Sequence, residues 1–251
     1  MPAVELLELL ARTVSEHAGW GERPSLPLAT TDVVFPRFLP TDEIPRCTFQ
    51  VEVADTPGGV RASLRSRIDL PGGMQRSREH AAATFARAAH VPSPPAPPSC
   101  ECEISAERIY AELIPFGPRY RNLRGSVGLG ETGGLGIVRS PTPPSNTSPL
   151  LGCPFLLDAA MHLACVWGQR YAGYVAYPTG FSARLLVKPT ATGERRCLVF
   201  PHRTEPRRFG CDLWLLDQHD QVCDVVTALS MSPLSVGAPP PAWILAPGTV
   251  P

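Results

Sequence analysis

One pattern occurs twice in this chain of 251 residues: a helix that opens with proline, followed by a series of strands. Residues 2–14 and 154–167 each begin with proline, which the first turn of a helix tolerates, and carry apolar residues on nearly every side. Repetition of a unit at this scale is typical of a duplicated fold. The sequence therefore predicts two copies of one unit, each made of a largely buried helix and an antiparallel sheet.

The strands that follow the two helices match in order. In the first copy, β-branched and aromatic stretches bounded by glycine and proline predict strands at residues 31–39, 47–53, 60–68 and 80–88. The segments of the two copies that correspond to each other are 35–40 and 181–189, 45–51 and 195–200, 60–65 and 209–216, and 80–88 and 222–231.

A proline-rich stretch separates the copies. Residues 92–98 contain five prolines in seven residues and favour extended polyproline geometry over a sheet interior. We therefore predict a first unit at residues 1–91, a linker at 92–103, a second unit at 104–236 and a tail at 237–251.

The second unit is expected to be longer at its start than the first. A short helix at residues 104–113, a glycine-rich hairpin at 124–138 and a loop at 141–149 precede its proline-started helix, whereas a single residue precedes Pro2. The first unit is therefore predicted to lack its leading strands, which leaves one sheet edge open.

Charge and cysteine usage narrow the function. The 23 basic and 23 acidic residues balance, so nucleic acid is not an expected partner. No apolar run approaches the roughly 18 residues of a membrane span, and no signal sequence opens the chain, so a cytoplasmic protein without membrane attachment is predicted. The eight cysteines lack paired Cys-x2-Cys spacing and indicate reduced, buried thiols, with no metal site.

Two segments resemble motifs of a known family. Residues 156–162 read Leu-Leu-Asp-Ala-Ala-Met-His and fit an Asp-x3-Gln/His helix motif, and residues 116–123 read Phe-Gly-Pro-Arg-Tyr-Arg-Asn-Leu and fit a Tyr-Gly-Pro-x-Phe-x-x-Leu stretch. Pro178 and Phe181 lie where the domains of the same family carry a Leu-Pro-x-x-Phe-like segment at the start of a strand. Over nearly its whole length the chain resembles the dehydratase domains of polyketide synthases and polyunsaturated fatty acid synthases. The resemblance implies an α+β double hotdog fold, in which each central helix is wrapped by a sheet.

The resemblance also implies a reaction, the loss of water from a 3-hydroxyacyl thioester. The substrate would arrive on the phosphopantetheine of an acyl carrier protein, with no other cofactor, and further synthase domains and a homodimer are expected partners. Asp158 would be the acid and His162 the group that orients it. The substrate-binding candidates are Phe116, Gly117, Pro118, Tyr120, Pro178 and Phe181.

The residue chemistry is compatible with these roles and also with plainer ones. Burial on an apolar helix should raise the pKa of Asp158 and keep it protonated, and His162, four residues on, shares its helix face. Alternatively, Asp158 is a first-turn residue stabilised by the helix dipole, and His162 is a core histidine. Phe116 replaces the usual tyrosine, so the hydroxyl at that position is either missing from the site or supplied instead by Tyr120.

The catalytic base is the main departure from the family. The His-x3-Gly-x4-Pro motif of the family ends in a helix-opening proline that Pro2 matches, so the histidine is expected upstream of Met1. None of the six histidines in the chain has the required spacing. Two alternatives therefore stay open beside a dehydratase: an inactive pseudo-dehydratase that serves as a dimerisation or docking scaffold, and a cyclase or isomerase on the same fold.

Overall fold

The computed structural model describes residues 2–20, 26–37, 39, 48–69, 74–88, 90–141, 149–189, 192–205, 208–234 and 239–246. Most of the predicted loop at residues 141–149 lies outside the described residues.

Two long helices lie where the proline-started segments predict them. The helix α1 runs Ala3–Ala18, four residues beyond the predicted end, and stops at Gly19, whose φ of 64° is a left-handed conformation that glycine adopts without strain. A short helix, α2 (Ala106–Arg108), continues into a π-helical turn, Ile109–Leu113. The helix α3 has the predicted bounds, Pro154–Trp167, and passes into a second π-helical turn, Gly168–Ala172.

The described residues form eleven strands in one sheet, in which every neighbouring pair is antiparallel. The strands are β1 (Leu28–Val34), β2 (Thr48–Thr56), β3 (Gly59–Asp69), β4 (Gln75–Arg87), β5 (Cys102–Ser105), β6 (Leu123–Gly130), β7 (Gly133–Arg139), β8 (Ala176–Leu186), β9 (Glu194–Glu205), β10 (Arg208–Leu216) and β11 (Val222–Pro233).

Several predicted boundaries need correction. The first strand ends at Val34 rather than at residue 39, because Pro36, which has no backbone N–H to donate to a neighbouring strand, follows two residues later. β4 and β8 each begin five residues before their predicted starts. The predicted helix at residues 104–113 starts only at Ala106, since Ile104 and Ser105 belong to β5.

The order of strands in the sheet repeats about its centre. From the central pair outward, one half reads β1, β4, β3, β2 and the other reads β8, β11, β10, β9. The pairs β2 with β9, β3 with β10 and β4 with β11 overlap segments that the sequence matched. The fourth matched segment, 35–40, comes after β1, which ends at Val34. The second half continues through β7, β6 and β5, while no described residue forms a strand beyond β2. The predicted asymmetry of the two units is therefore present in the described part of the chain.

A continuous core joins the halves. The helix α1 packs on β3 and β4, α3 packs on β7 and β9, and the two helices touch each other. Their buried side chains belong to one hydrophobic cluster that spans both halves of the sheet. The division of the chain at residues 92–103 stays a prediction, and β5 already begins at Cys102, inside the predicted linker.

Cysteines and membrane features were also predicted from the sequence. Five of the seven described cysteines are buried free thiols, whereas Cys100 is exposed and Cys102 is half-buried. No helix within the described ranges is long and apolar enough to cross a membrane. In the same ranges, no group of three or more His, Cys, Asp or Glu side chains is arranged to hold a metal ion.

Candidate active site

Asp158 and His162 form a close pair near the middle of α3. Because they are four residues apart on a helix, their side chains leave the same face. Oδ2 of Asp158 lies 3.2 Å from Nε2 of His162, and the side chains are only 15% and 6% exposed. Neither of these two atoms completes a hydrogen bond with any described residue, so the approach is a close contact and not yet a formed hydrogen bond. Such contacts often tighten when a substrate binds.

Tyr110, on the first π-helical turn, fixes the other side of His162. Its hydroxyl oxygen lies 3.3 Å from Nδ1 of His162 and accepts the backbone N–H groups of Asn122 and Leu123, each at 2.9 Å. The tyrosine and histidine rings also meet edge to face, with centroids 5.8 Å apart. Tyr110 was not among the sequence candidates, because nothing in the local pattern marks a residue that contacts α3 from 52 positions away.

The electrostatics of the pair separate an acid from a neutral partner. Burial, with a further contribution from the negative charge of Glu5, raises the pKa of Asp158 from 3.8 to about 7. Burial alone lowers the pKa of His162 from 6.5 to about 3. Near neutral pH the imidazole is therefore uncharged, and a large fraction of the Asp158 carboxyl keeps its proton. Of the two residues, Asp158 is the one able to donate a proton there.

An aromatic cover lies over the pair. The ring of Phe116 stacks on the imidazole of His162, with centroids 4.8 Å apart and an interplanar angle of 18°, yet Phe116 is 49% exposed. Gly117 leads into a 3₁₀ turn, Pro118–Tyr120, which brings the ring of Tyr120 to 6.3 Å from Phe116. The 116–120 segment is thus positioned against the α3 pair, and one face of it remains open to solvent. A role of these residues in substrate binding stays a prediction.

The helix of the first unit also reaches this region. The hydroxyl of Tyr120 donates to Oε1 of Glu5 on α1 at 3.0 Å, and burial together with the Glu5 charge raises the pKa of Tyr120 to about 12. One turn further along α1, the carboxylate of Glu8 accepts the N–H groups of Leu150 and Leu151. The hydroxyl of Tyr120 therefore binds α1, while the hydroxyl beside the acid pair is that of Tyr110.

Pro178 and Phe181 lie on β8, at the seam between the two halves of the sheet. The ring of Phe181 is 3% exposed and meets Phe35 at 6.4 Å, and Phe181 is opposite Val33 in the β1–β8 register. Pro178 is opposite Met231 on β11. These contacts are inter-strand packing, and a role of either residue in substrate binding stays a prediction.

The remaining histidines have contacts or positions away from the acid pair. His17 is near the end of α1, with Nε2 at 3.7 Å from Asp55, and His80 on β4 bonds Ser66 at 2.7 Å. His202 lies on β9, His219 lies in the turn before β11, and His90 is exposed beyond β4. Within the described residues, none of these five contributes a contact to Asp158.

The comparisons with known proteins identify the class to which this fold and site belong. Residues 88–241 match the family model described as the polyketide synthase dehydratase N-terminal domain. The match covers more than half of the chain, and the chain belongs to the polyketide synthase dehydratase family. No curated protein sequence matches the chain.

Solved structures of this family share the fold. The dehydratase domain from the CurJ module of the curacin polyketide synthase superposes with a TM-score of 0.70 at 20% identity, covering 93% of this chain and 82% of that chain. The dehydratase domain of PpsC from Mycobacterium tuberculosis, in complex with C12:1-CoA, superposes with a TM-score of 0.68 at 19% identity, covering 93% of this chain and 85% of that chain. An isomerase-inactive variant of GphF DH1 superposes with a TM-score of 0.67 at 19% identity, covering 95% of this chain and 84% of that chain. At these identities the likeness shows the fold, and the predicted hotdog-type α+β class is confirmed.

Proposed function

We propose that this chain eliminates water from 3-hydroxyacyl thioesters that an acyl carrier protein presents, in polyketide or polyunsaturated fatty acid biosynthesis. The observation that carries the proposal is Asp158, a largely buried carboxyl on α3 with a pKa raised to about 7, beside a neutral His162 and under a half-exposed aromatic residue. An acid that keeps its proton near neutral pH is what the departure of a hydroxyl group requires.

The elimination moves two protons. The proton of Asp158 goes to the C3 hydroxyl, the C3–O bond breaks and water leaves. A base takes one proton from C2, and the electron pair of that C–H bond becomes the C2–C3 double bond. The base then returns its proton through solvent to the ionised Asp158. His162 lies beside Oδ2 of Asp158, where it can orient the carboxyl when substrate binds, and the ring of Phe116 offers an apolar contact to the acyl chain.

The base is the part of this mechanism that the described residues leave open. The family resemblance assigns it to a histidine, and the described histidines other than His162 are engaged elsewhere or lie on other elements. The carrier protein, the other synthase domains, the homodimer and the cytoplasmic location belong to the same proposal. No cofactor beyond the phosphopantetheine of the carrier is required by this chemistry.

A second candidate is isomerisation of an enoyl thioester, which needs the same type of proton transfer. One of the similar solved structures is a variant of GphF DH1 that is named isomerase-inactive. This similarity supports isomerisation as the second candidate function. Isomerisation shifts the double bond without loss of water, so the product alone separates the two reactions.

The test uses synthetic 3-hydroxyacyl pantetheine thioesters of several chain lengths, incubated with the 251-residue protein with and without added imidazole. Imidazole supplies an external base to a site that holds its own acid. We expect a 2-enoyl product, detected by mass spectrometry as the loss of one water, with imidazole increasing the rate. A folded protein that yields no enoyl product under either condition would contradict the proposal and favour a scaffold. A 3-enoyl product formed from a 2-enoyl thioester would favour the isomerase.

A further inference from the structure

Tyr110 is buried where the first π-helical turn approaches α3. It is 4% exposed, and its hydroxyl meets three polar groups: the N–H of Asn122, the N–H of Leu123 and Nδ1 of His162. π-Helical turns are rare and occur often at functional sites. The arrangement is therefore a candidate for a role beyond packing.

The donors and acceptors around the Tyr110 hydroxyl determine which group donates in its contact with His162. A tyrosine hydroxyl has one proton to donate, and here its oxygen already accepts two backbone N–H groups. The remaining hydroxyl proton is therefore directed to Nδ1 of His162. A neutral imidazole that accepts at Nδ1 carries its own proton on Nε2. Nε2 is the nitrogen that lies 3.2 Å from Oδ2 of Asp158.

We propose that Tyr110 is a positioning residue that holds His162 in the Nε2–H tautomer. The Nε2–H group then faces Oδ2 of Asp158 and donates to it once the contact tightens on substrate binding, and the acidic proton resides on Oδ1. In the opposite tautomer, Nε2 would accept the carboxyl proton and withhold it from substrate. Tyr110 thus determines whether the proton of Asp158 is available. The consequence for catalysis rests on the proposed dehydratase function, whereas the tautomer itself does not.

The surroundings keep Tyr110 a donor. Burial raises the pKa of Tyr110 above its ordinary value of 10, so the hydroxyl stays protonated throughout the range in which Asp158 titrates. The two backbone donors come from the start of β6, which begins at Leu123, and they hold the hydroxyl oxygen in place. The neutral state of His162, favoured by its burial, leaves two tautomers between which Tyr110 selects.

The first test reads the tautomer directly. In protein labelled with ¹⁵N-histidine, the two ring nitrogens of His162 give distinct NMR shifts for the protonated and unprotonated positions, and His162→Gln identifies the signals. We expect the Nε2–H form in the wild type and a mixture, or the Nδ1–H form, in Tyr110→Phe. A wild type in the Nδ1–H form, or a Tyr110→Phe protein that retains the Nε2–H form, would overturn the proposal. This readout needs no substrate, so it stands even if the protein proves inactive.

The second test separates positioning from a purely structural effect. Tyr110→Phe should lower kcat for water loss about 10- to 100-fold with little change in KM, a range similar to that caused by removing the partners that orient metal-binding side chains. Tyr171→Phe, which removes a hydroxyl from the second π-helical turn, is the matched control and should leave kcat within about twofold.

A double variant sharpens the distinction. The amide of glutamine has no tautomers, so in a His162→Gln background Tyr110→Phe should reduce kcat by a clearly smaller factor than in the wild type. An equal factor in both backgrounds would show that Tyr110 acts by supporting the fold and would contradict the catalytic part of the proposal. Absence of water loss in the wild type would instead count against the proposed function, with the NMR result still deciding the tautomer.

Discussion

Asp158→Asn should lower the rate of water loss from 3-hydroxyacyl thioesters by about 10²–10⁴-fold, the usual contribution of a positioned acid. Asparagine has nearly the same shape as aspartic acid but has no acidic proton to give to the leaving hydroxyl. The buried position beside His162 and the absence of another described contact to Oδ2 leave no neighbouring group to replace it. The measurement is the initial rate of enoyl formation, with imidazole present in all reactions.

Two controls separate chemistry from folding. Asp55→Asn makes the same change at a side chain that is 82% exposed and should leave the rate within about twofold. The second control is the free energy of unfolding in urea as a function of pH. Equal activity of Asp158→Asn and the wild type would contradict the role of Asp158 as the acid.

The pH dependence of that control has a definite sign. The pKa of Asp158 rises from 3.8 to about 7 on folding, so between these values the unfolded chain releases a proton that the folded protein still holds. Asp158 therefore destabilises the fold progressively as pH rises through this window, and the penalty is complete above about pH 7. Asp158→Asn should be more stable than the wild type by about 2–4 kcal/mol at about pH 8, with the difference vanishing towards about pH 3.

Arg184→Met should lower the free energy of unfolding by about 3–5 kcal/mol, because it breaks a buried ion pair by removing one partner. Nη2 of Arg184 is 2.6 Å from Oδ2 of Asp224, Nε contacts both carboxylate oxygens, and the side chains are 5% and 8% exposed. Nη2 also donates to the backbone carbonyl of Leu151, just before α3. Methionine fills similar volume but leaves the Asp224 carboxylate and this carbonyl without their donor. Urea unfolding at about pH 7 measures the loss.

An exposed pair provides the comparison. Nε of Arg139 lies 3.8 Å from Oε1 of Glu194, and the two side chains are 59% and 56% exposed. Because exposed ion pairs contribute little, Arg139→Met should change the free energy of unfolding by about 0–1 kcal/mol. Combining Arg184→Met with Asp224→Leu should recover much of the loss, since no charge is then buried alone. If Arg184→Met and Arg139→Met have similar effects, the buried pair does not stabilise this fold as argued.

Much of the fold follows from patterns that are local in the sequence. The prolines before α1 and α3 and the apolar runs after them identify both helices, and the turn residues between apolar stretches identify the strands. The correspondence of β2, β3 and β4 with β9, β10 and β11 comes from comparing one half of the chain with the other. The motif around Asp158 and His162 likewise lies within a single helix, which is why the pair could be named and its close approach expected.

The rest of the site depends on contacts that no local pattern records. Tyr110 reaches His162 because a π-helical turn replaces the end of the predicted helix, and Glu5 reaches Tyr120 because α1 packs beside α3. With phenylalanine at position 116, the motif left two alternatives, a missing hydroxyl or one supplied by Tyr120, whereas the hydroxyl beside His162 is that of Tyr110. Such pairings are set by how the two halves of the chain pack, which residue spacing does not determine.

The titration of the Asp158 carboxyl in the folded protein tests the central claim most directly. Protein labelled with ¹³C at aspartate carboxyl carbons, compared with Asp158→Asn to assign the signal, gives the pKa of this one group by NMR. The account predicts a midpoint near 7, which makes Asp158 a proton donor at neutral pH. A midpoint near the ordinary value of 3.8 would mean that Asp158 is already ionised there and would contradict its role as the acid.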